Sequence, residues 1–425
     1  MSHAAMSHDM ILERDNVVLS EGSGRSISFG LIGLGGLMLL LTVLGGLTGD
    51  VAAGRIAIHS IHMGAVIVLG ISLAAMLIVM IFHQTNAGWA TTVRRQFENM
   101  MSCVWVGTLL IAGVIILNLF AFMPKGVFLW EWMDAEHVAG DVLYQAKKAY
   151  LNDTFFYVRA VVYFAVWLLL AAALYGMSTR QDEEGDKWIT ARARKLSAVG
   201  IPLVGFTSAF AAFDWIMGLD YHFYSTMFGV FYFAQNMVAA LTLGTLILLV
   251  LRFFGRLHGA FTAEHLHDLG KLIFGFTVFW AYISFSQYFL IWYANLPEET
   301  AYFVKRKEGH WEIVSWIIPI GHFIAPFIWL IPRPARRNGL VVGIACVWLL
   351  LMHIVDVFWY IGPEAELPHG DAPSHAALVD WRHVTGVLGP ICIFLGVLMR
   401  RIARSPLIPL RDPRLHEALH HENYV

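Results

Sequence analysis

Charge is scarce in this chain. Asp, Glu, Lys and Arg supply only 14% of the residues, where soluble domains carry about 25%. Cysteine is scarcer. Cys103, Cys346 and Cys392 stand singly inside apolar runs. The sequence has no Cys-x-x-Cys-His for covalent haem and no four-cysteine set for an iron–sulfur cluster. Redox chemistry in which this chain took part would need those cofactors in another chain. The first 26 residues also lack the basic start and adjoining apolar core of a signal peptide. The N-terminus is therefore expected to stay on the side of the membrane where it was made. No low-complexity tract, no repeat between the halves and no basic footprint for nucleic acid is present.

Long apolar runs fill the space that charge leaves. Hydrophobic residues make up 58% of the 425 positions, and the mean hydropathy is +0.62. A bilayer span needs roughly 20 apolar residues. Ten runs qualify: 27–47, 58–82, 101–123, 153–177, 197–217, 224–252, 270–294, 311–331, 339–361 and 378–399. All are too long for barrel strands, so the expected fold is all-α and membrane-integral. The implied division is an N-terminal segment 1–26, a membrane domain 27–399 and a tail 400–425. Of the 29 Lys and Arg residues, 20 fall at the termini or in the even-numbered loops. The other nine are Arg55, Lys125, Lys147, Lys148, Arg159, Lys305, Arg306, Lys307 and Arg382. The positive-inside rule then places both termini in the cytoplasm.

Ionisable groups inside spans are costly, about 2.5–3.5 kcal/mol each at a helix centre. They mark either a hydrogen bond to a neighbouring helix or a proton path or ligand site. Threading the spans puts a group of them near the outer face: His59 and His62, Asp153 and Arg159, Asp214 and Asp220 with His222, His353 with Asp356, and Glu298 with Glu299. Span ends tolerate charge cheaply, so a bland reading stands beside proton release. His353 and Asp356 are three residues apart and share a helix face. That face is expected to turn into the bundle as a His–Asp pair, exchanging protons with the outside through Asp214 or water. The alternative is a hydrogen bond that only fixes helix rotation.

Span eight, "WEIVSWIIPIGHFIAPFIWLIP", differs from the rest. His322 falls near its midplane between Pro319 and Pro326, which free the carbonyls of Ser315 and His322. A broken helix at membrane depth points to a protein-lined cavity, against the plainer reading of a kinked packing helix. Gln235, Asn236, Ser284, Ser286 and Gln287 suggest a polar seam at similar depth, with Glu298 and Glu299 at its outer opening.

Three stretches carry a resemblance: "AAFDWIMGLDYHFYSTMFGVFYFAQN" (211–236), "FSQYFLIWYANLPEE" (285–299) and "WIIPIGHFIAPFIWLIPR" (316–333). They resemble the F subunit of bacterial alternative complex III, a quinol:electron-acceptor oxidoreductase. "KKAYLNDTFFYVRAVVYFAVW" (147–167) is similar to the same family and to its C subunit. Both subunits are polysulfide-reductase-type (NrfD-like) membrane proteins. The resemblance covers most of the chain beyond residue 145. It implies ten helices with two four-helix bundles, spans two to five (about 58–217) and six to nine (about 224–361), flanked by spans one and ten. It also implies a bacterial inner-membrane complex. The implied partners are a paralogous ten-helix C subunit, periplasmic iron–sulfur and cytochrome c subunits, small membrane-anchor subunits, lipids and, as an open case, a terminal oxidase. The implied small molecule is a quinone or quinol, with menaquinone and ubiquinone both open; clusters and haems belong to the partners and no metal to this chain. Quinol oxidation in the family is attributed to the C subunit, which leaves the F subunit as a quinone site, a proton conduit or both. Two other readings remain: a secondary transporter with a midplane substrate site, and a haem-b anchor, for which His322 lacks an obvious second histidine at its depth.

Overall fold

The structure, a computed structural model, describes residues 8–20, 22–366 and 379–423. Most of the 362–377 loop and the first residues of the N-terminal segment lie outside them. Among the described residues there is no strand, and ten helices are long and apolar enough to cross a membrane. They are α1 (Arg25–Thr48), α2 (Val51–Gln84), α3 (Gly88–Lys125), α4 (Asp153–Glu184), α5 (Lys187–Leu219), α6 (Phe228–Phe253), α7 (Ala263–Ala294), α8 (Trp311–Leu330), α9 (Gly339–Ala365) and α10 (Trp381–Ile402). This is the all-α membrane architecture expected from the apolar runs.

Several helices run further than their hydropathy. The segment "TTVRRQFENM" at the start of α3 is polar yet helical and buried throughout. Its charges pair with one another instead of meeting lipid. Arg94 Nε lies 2.7 Å from Glu98 and its Nη2 2.7 Å from Asp412, while Arg95 Nη2 reaches Asp182 at 2.8 Å. Ser178 also donates to Glu98. This network ties α3 to α4 and to the C-terminal tail. A hydropathy window stops at the first charge, whereas the helix stops only where its backbone bonds do.

α2 is the centre of the molecule. Burial covers 94% of its apolar window, against 17% for α1. It packs on α3, α5, α6 and α10, and the α1–α10 pair lies along it. Close approach depends on missing side chains. A Cβ on Gly64 would come within 2.8 Å of the Val387 carbonyl of α10, and one on Gly70 would run into the Asn236 side chain of α6. Small residues at membrane helix contacts serve this purpose. Beyond α2, α6 packs on α7 and α9, and α8 lies between α7 and α9.

The face that carries both termini is knitted together by the chain ends. Leu257 donates its N–H to Asn16 at 3.1 Å, the Asn16 amide donates to His258 at 2.8 Å, and Leu407 donates to Val17 at 2.7 Å.

Candidate functional site

The site begins in α8. This helix does not break at its prolines; it widens into a π-helical turn over Pro319–Ile324 and resumes as α-helix. A π turn absorbs the missing proline N–H without unwinding, and such turns often mark functional positions. The expected break is therefore a bulge in a continuous helix. The Trp348 indole of α9 donates to the Gly321 carbonyl at 2.7 Å.

The bulge carries His322, which is fully buried. Its ring stacks on Trp280 of α7, with centroids 3.9 Å apart and planes 26° from parallel. Asp356 of α9 completes the group. Its Oδ2 accepts the Trp280 indole N–H at 3.1 Å and lies 3.6 Å from His322 Nδ1. Three helices thus converge on one carboxylate, whose Oδ1 has no partner among the described residues.

His353 is not part of this group. It is buried near His322 but makes no hydrogen bond to Asp356 or Trp280, and its ring nitrogens, like those of His322, have no hydrogen-bond partner. The expected His353–Asp356 pair is corrected: residues three apart on a helix point the same way, but the partner of Asp356 comes across from α7 and α8.

Beside the group lies a cavity of about 840 Å³ between α6, α7, α8, α9 and the short helix Pro297–Lys305. Trp280, Asp356, Gln287, Ser284 and Phe231 are among its lining residues, together with Arg306, Lys307 and Glu312. Tyr282, Phe285 and Trp316 also line it, yet are 65%, 63% and 65% exposed, so the cavity opens sideways through the apolar belt. The cause lies in α8. Its bulge and following half pack on α7, while its first half, Trp311–Ile318, packs on α9. The two helices part on the side away from the termini.

Arg306 roofs the cavity. It is fully buried, and its guanidinium lies 3.3 Å from the Tyr302 ring centroid. It donates to Glu364 at 2.9 Å and to the Tyr302, Trp359 and Tyr360 carbonyls at 2.8, 3.2 and 2.9 Å. Lys305 adds a second cation to Glu364 at 2.8 Å. A buried arginine that is hydrogen-bonded through all three of its nitrogens holds its position, because leaving a buried charge unpaired costs about 3–5 kcal/mol. Burial raises the Tyr302 phenol above its ordinary range.

The remaining expected residues fall into separate places. Asp214 accepts two Arg159 N–H groups at 2.8 Å each and the Tyr163 hydroxyl at 2.9 Å, forming a clamp between α4 and α5. Asp153 is exposed at the start of α4. His59 and His62 are not at an outer mouth but buried inside α2, bonded to the Arg55 and Trp215 carbonyls at 2.8 Å. Asp220 accepts the His222 backbone N–H at 3.1 Å, and His222 Nε2 meets Asp141 at 2.8 Å. Burial, helped by Glu364, raises the Asp220 carboxyl above its usual range. Asp141 is held at about 2, chiefly by the Tyr221 hydroxyl at 2.7 Å and also by His222.

The expected seam is only partly assembled. Ser284 and Gln287 line the cavity; Ser286 does not. Gln235 reaches the Tyr360 hydroxyl at 3.4 Å, and Asn236 bonds Tyr232 and packs against Gly70. None of them bonds His322. Glu298 and Glu299 also miss the opening. Glu298 is exposed, Glu299 faces the Tyr224 hydroxyl, and the glutamate that lines the cavity is Glu312. Trp280, Arg306 and Tyr302 carry no sign of their role in isolation. One signal was available: Trp280, Ser284 and Gln287 follow a spacing of four and three, a single helix face. Among the described residues no cluster of three or more His, Cys, Asp or Glu is placed to hold a metal.

Compared with known proteins, the chain matches no family model, and no curated protein sequence matches it.

Proposed function

We propose that this chain is a membrane-integral subunit of a bacterial quinol:electron-acceptor oxidoreductase of the alternative complex III type, and that the α7–α8 cavity is its quinone site. The observation that carries the reading is an aromatic-lined cavity that opens into the lipid belt and ends on the Asp356 carboxylate. A quinol has a flat head with two hydroxyl groups and a long apolar tail. The sideways opening suits such a tail, and Phe231, Trp280 and Phe323 give the head apolar walls. Quinol oxidation releases two protons and two electrons. The electrons go to redox centres in partner subunits, as the resemblance implies.

The chain's own groups position and receive a proton. Trp280 holds Oδ2 of Asp356 and turns the carboxylate, so that Oδ1 can accept a hydroxyl hydrogen bond. His322 stacks on Trp280 with its Nδ1 3.6 Å from Oδ2, and so helps to hold that side of the carboxylate in place. Arg306 and Lys305 fix the roof on Glu364. With the termini in the cytoplasm, the roof lies on the periplasmic side, where released protons are expected. The transporter reading loses its main support, because α8 remains helical through His322.

Ser284→Trp tests the assignment by filling the cavity. The assembled complex is expected to retain much less quinone on purification, and a photoreactive quinone should no longer label the 280–287 segment. Unchanged quinone content and labelling in an intact complex would show that the cavity is not the site.

A further inference from the structure

On the face that carries the termini, the first turns of α7 lie beneath the short helix Arg333–Arg337 that joins α8 to α9. We infer that this junction is a binding site for the phosphate headgroup of an anionic phospholipid, with Arg336 and Arg333 as its principal contacts. This goes beyond the proposed function and does not depend on it.

Local acids are already engaged. Glu264 pairs with Arg337 and Asn423, and Asp268 with Lys271, His421 and Asn423. Arg333 and Arg336 have no carboxylate partner among the described residues. Arg336 is held in place all the same. It lies across Gly270, where an added Cβ would come within 3.1 Å of its side chain, and its guanidinium is 5.9 Å from the Phe274 ring centroid. Its Nε is enclosed without an acceptor. One helical turn away, His267 is 6% exposed and both its ring nitrogens lack partners. Lys271 stands beside them on the same face of α7, its side chain 45% exposed.

Polar groups left unpaired beside unneutralised arginines call for an anion. The surroundings select a lipid over a free ion. Below Arg336, Phe274 stacks on Phe327 at 5.3 Å, and Ile328 and Ile331 are 61% and 48% exposed. This apolar seam between α7 and α8 leads toward Tyr282. From Phe274 to Tyr282 the helix rises about 12 Å, a length that an acyl chain spans. Basic pockets between membrane helices on the positively charged face take anionic headgroups in this way.

The test uses the full-length protein in nanodiscs of phosphatidylglycerol and phosphatidylcholine in equal amounts, with retained lipid read by native mass spectrometry. Wild type is expected to keep phosphatidylglycerol preferentially. Arg336→Gln should lower that preference about fivefold, and Arg333→Gln added to it should lower it further. Arg336→Lys should keep most of it and serves as the check on folding. Arg180→Gln, on the same face but paired with Glu184 at 2.6 Å, should change nothing. Equal retention of the two lipids by wild type, or unchanged preference in the double variant, overturns the inference. Displacement of the lipid by inorganic phosphate, but not by chloride at equal ionic strength, overturns the lipid assignment in favour of a free-anion site.

Discussion

Asp356 shows what spacing along one helix can and cannot tell. Its burial and its inward face were legible from an acid inside an apolar run. Its partners were not, because Trp280 and His322 come from helices 76 and 34 residues away in the sequence. The same limit hid Arg306, which reads as one charge of a "KRK" loop and is instead a buried roof. The two members of the misjudged pair should now behave differently. Asp356→Asn keeps the shape and an acceptor for the Trp280 N–H but removes the proton site. In the assembled complex, quinol turnover is expected to fall about a hundredfold, the scale of a lost general base. Wild-type turnover with an unaltered pH profile would refute the proton role. His353→Leu replaces a ring whose enclosed nitrogens have no partner. An unmet buried polar group costs about 1–3 kcal/mol, so thermal stability should hold or rise, and quinone retention should stay as in wild type.

The number and order of the helices were legible because lipid demands long apolar runs and nothing else supplies them. Their ends were less so. α3 begins thirteen positions before its apolar run, since Arg94 and Arg95 pair with Glu98, Asp182 and Asp412 inside the protein. Which helix lies at the centre was also not legible: α2 and α1 are both strongly apolar, and only packing separates them. Glycine contacts make that packing specific. Gly64→Val would drive its branches into the Gly386 and Val387 carbonyls of α10 and the Pro390 ring, all within 3 Å of the first added carbon. Overpacking of this kind costs about 1–3 kcal/mol. A lower melting temperature in detergent is expected, whereas Gly113→Val, with nothing within 4 Å, should be tolerated. A second element-level prediction concerns the loop that Asp141 ties to Tyr221 and His222. The folded carboxyl, held at about 2, lies below its unfolded value near 3.9. Its contribution is therefore complete above about pH 4 and is lost as pH falls toward 2. Hydrogen exchange of 141–150 should accelerate across that window, and Asp141→Asn should remove that pH dependence.

At the scale of the whole molecule, an even number of spans places both termini on one face, and the proposal that this face is cytoplasmic rests on the distribution of Lys and Arg. The N-terminal segment, the 254–262 loop and the C-terminal tail are hydrogen-bonded together on the terminal side, through Asn16, Leu257 and Leu407. These segments cannot lie on opposite sides of a bilayer. One orientation test therefore fixes every loop. Glu366, just beyond α9 on the far face, bonds the Trp311 indole at 2.8 Å and is partly exposed. Cys103 and Cys346 are buried, so a new thiol there stands out once Cys392 is replaced by serine. Glu366→Cys is expected to react with a membrane-impermeant maleimide added to intact spheroplasts. A cysteine in place of Asn86, in the turn after α2, should react only after the membrane is opened. The reverse pattern would invert the topology. It would put the Arg306 roof and Glu364 in the cytoplasm, and with them the expected side of proton release.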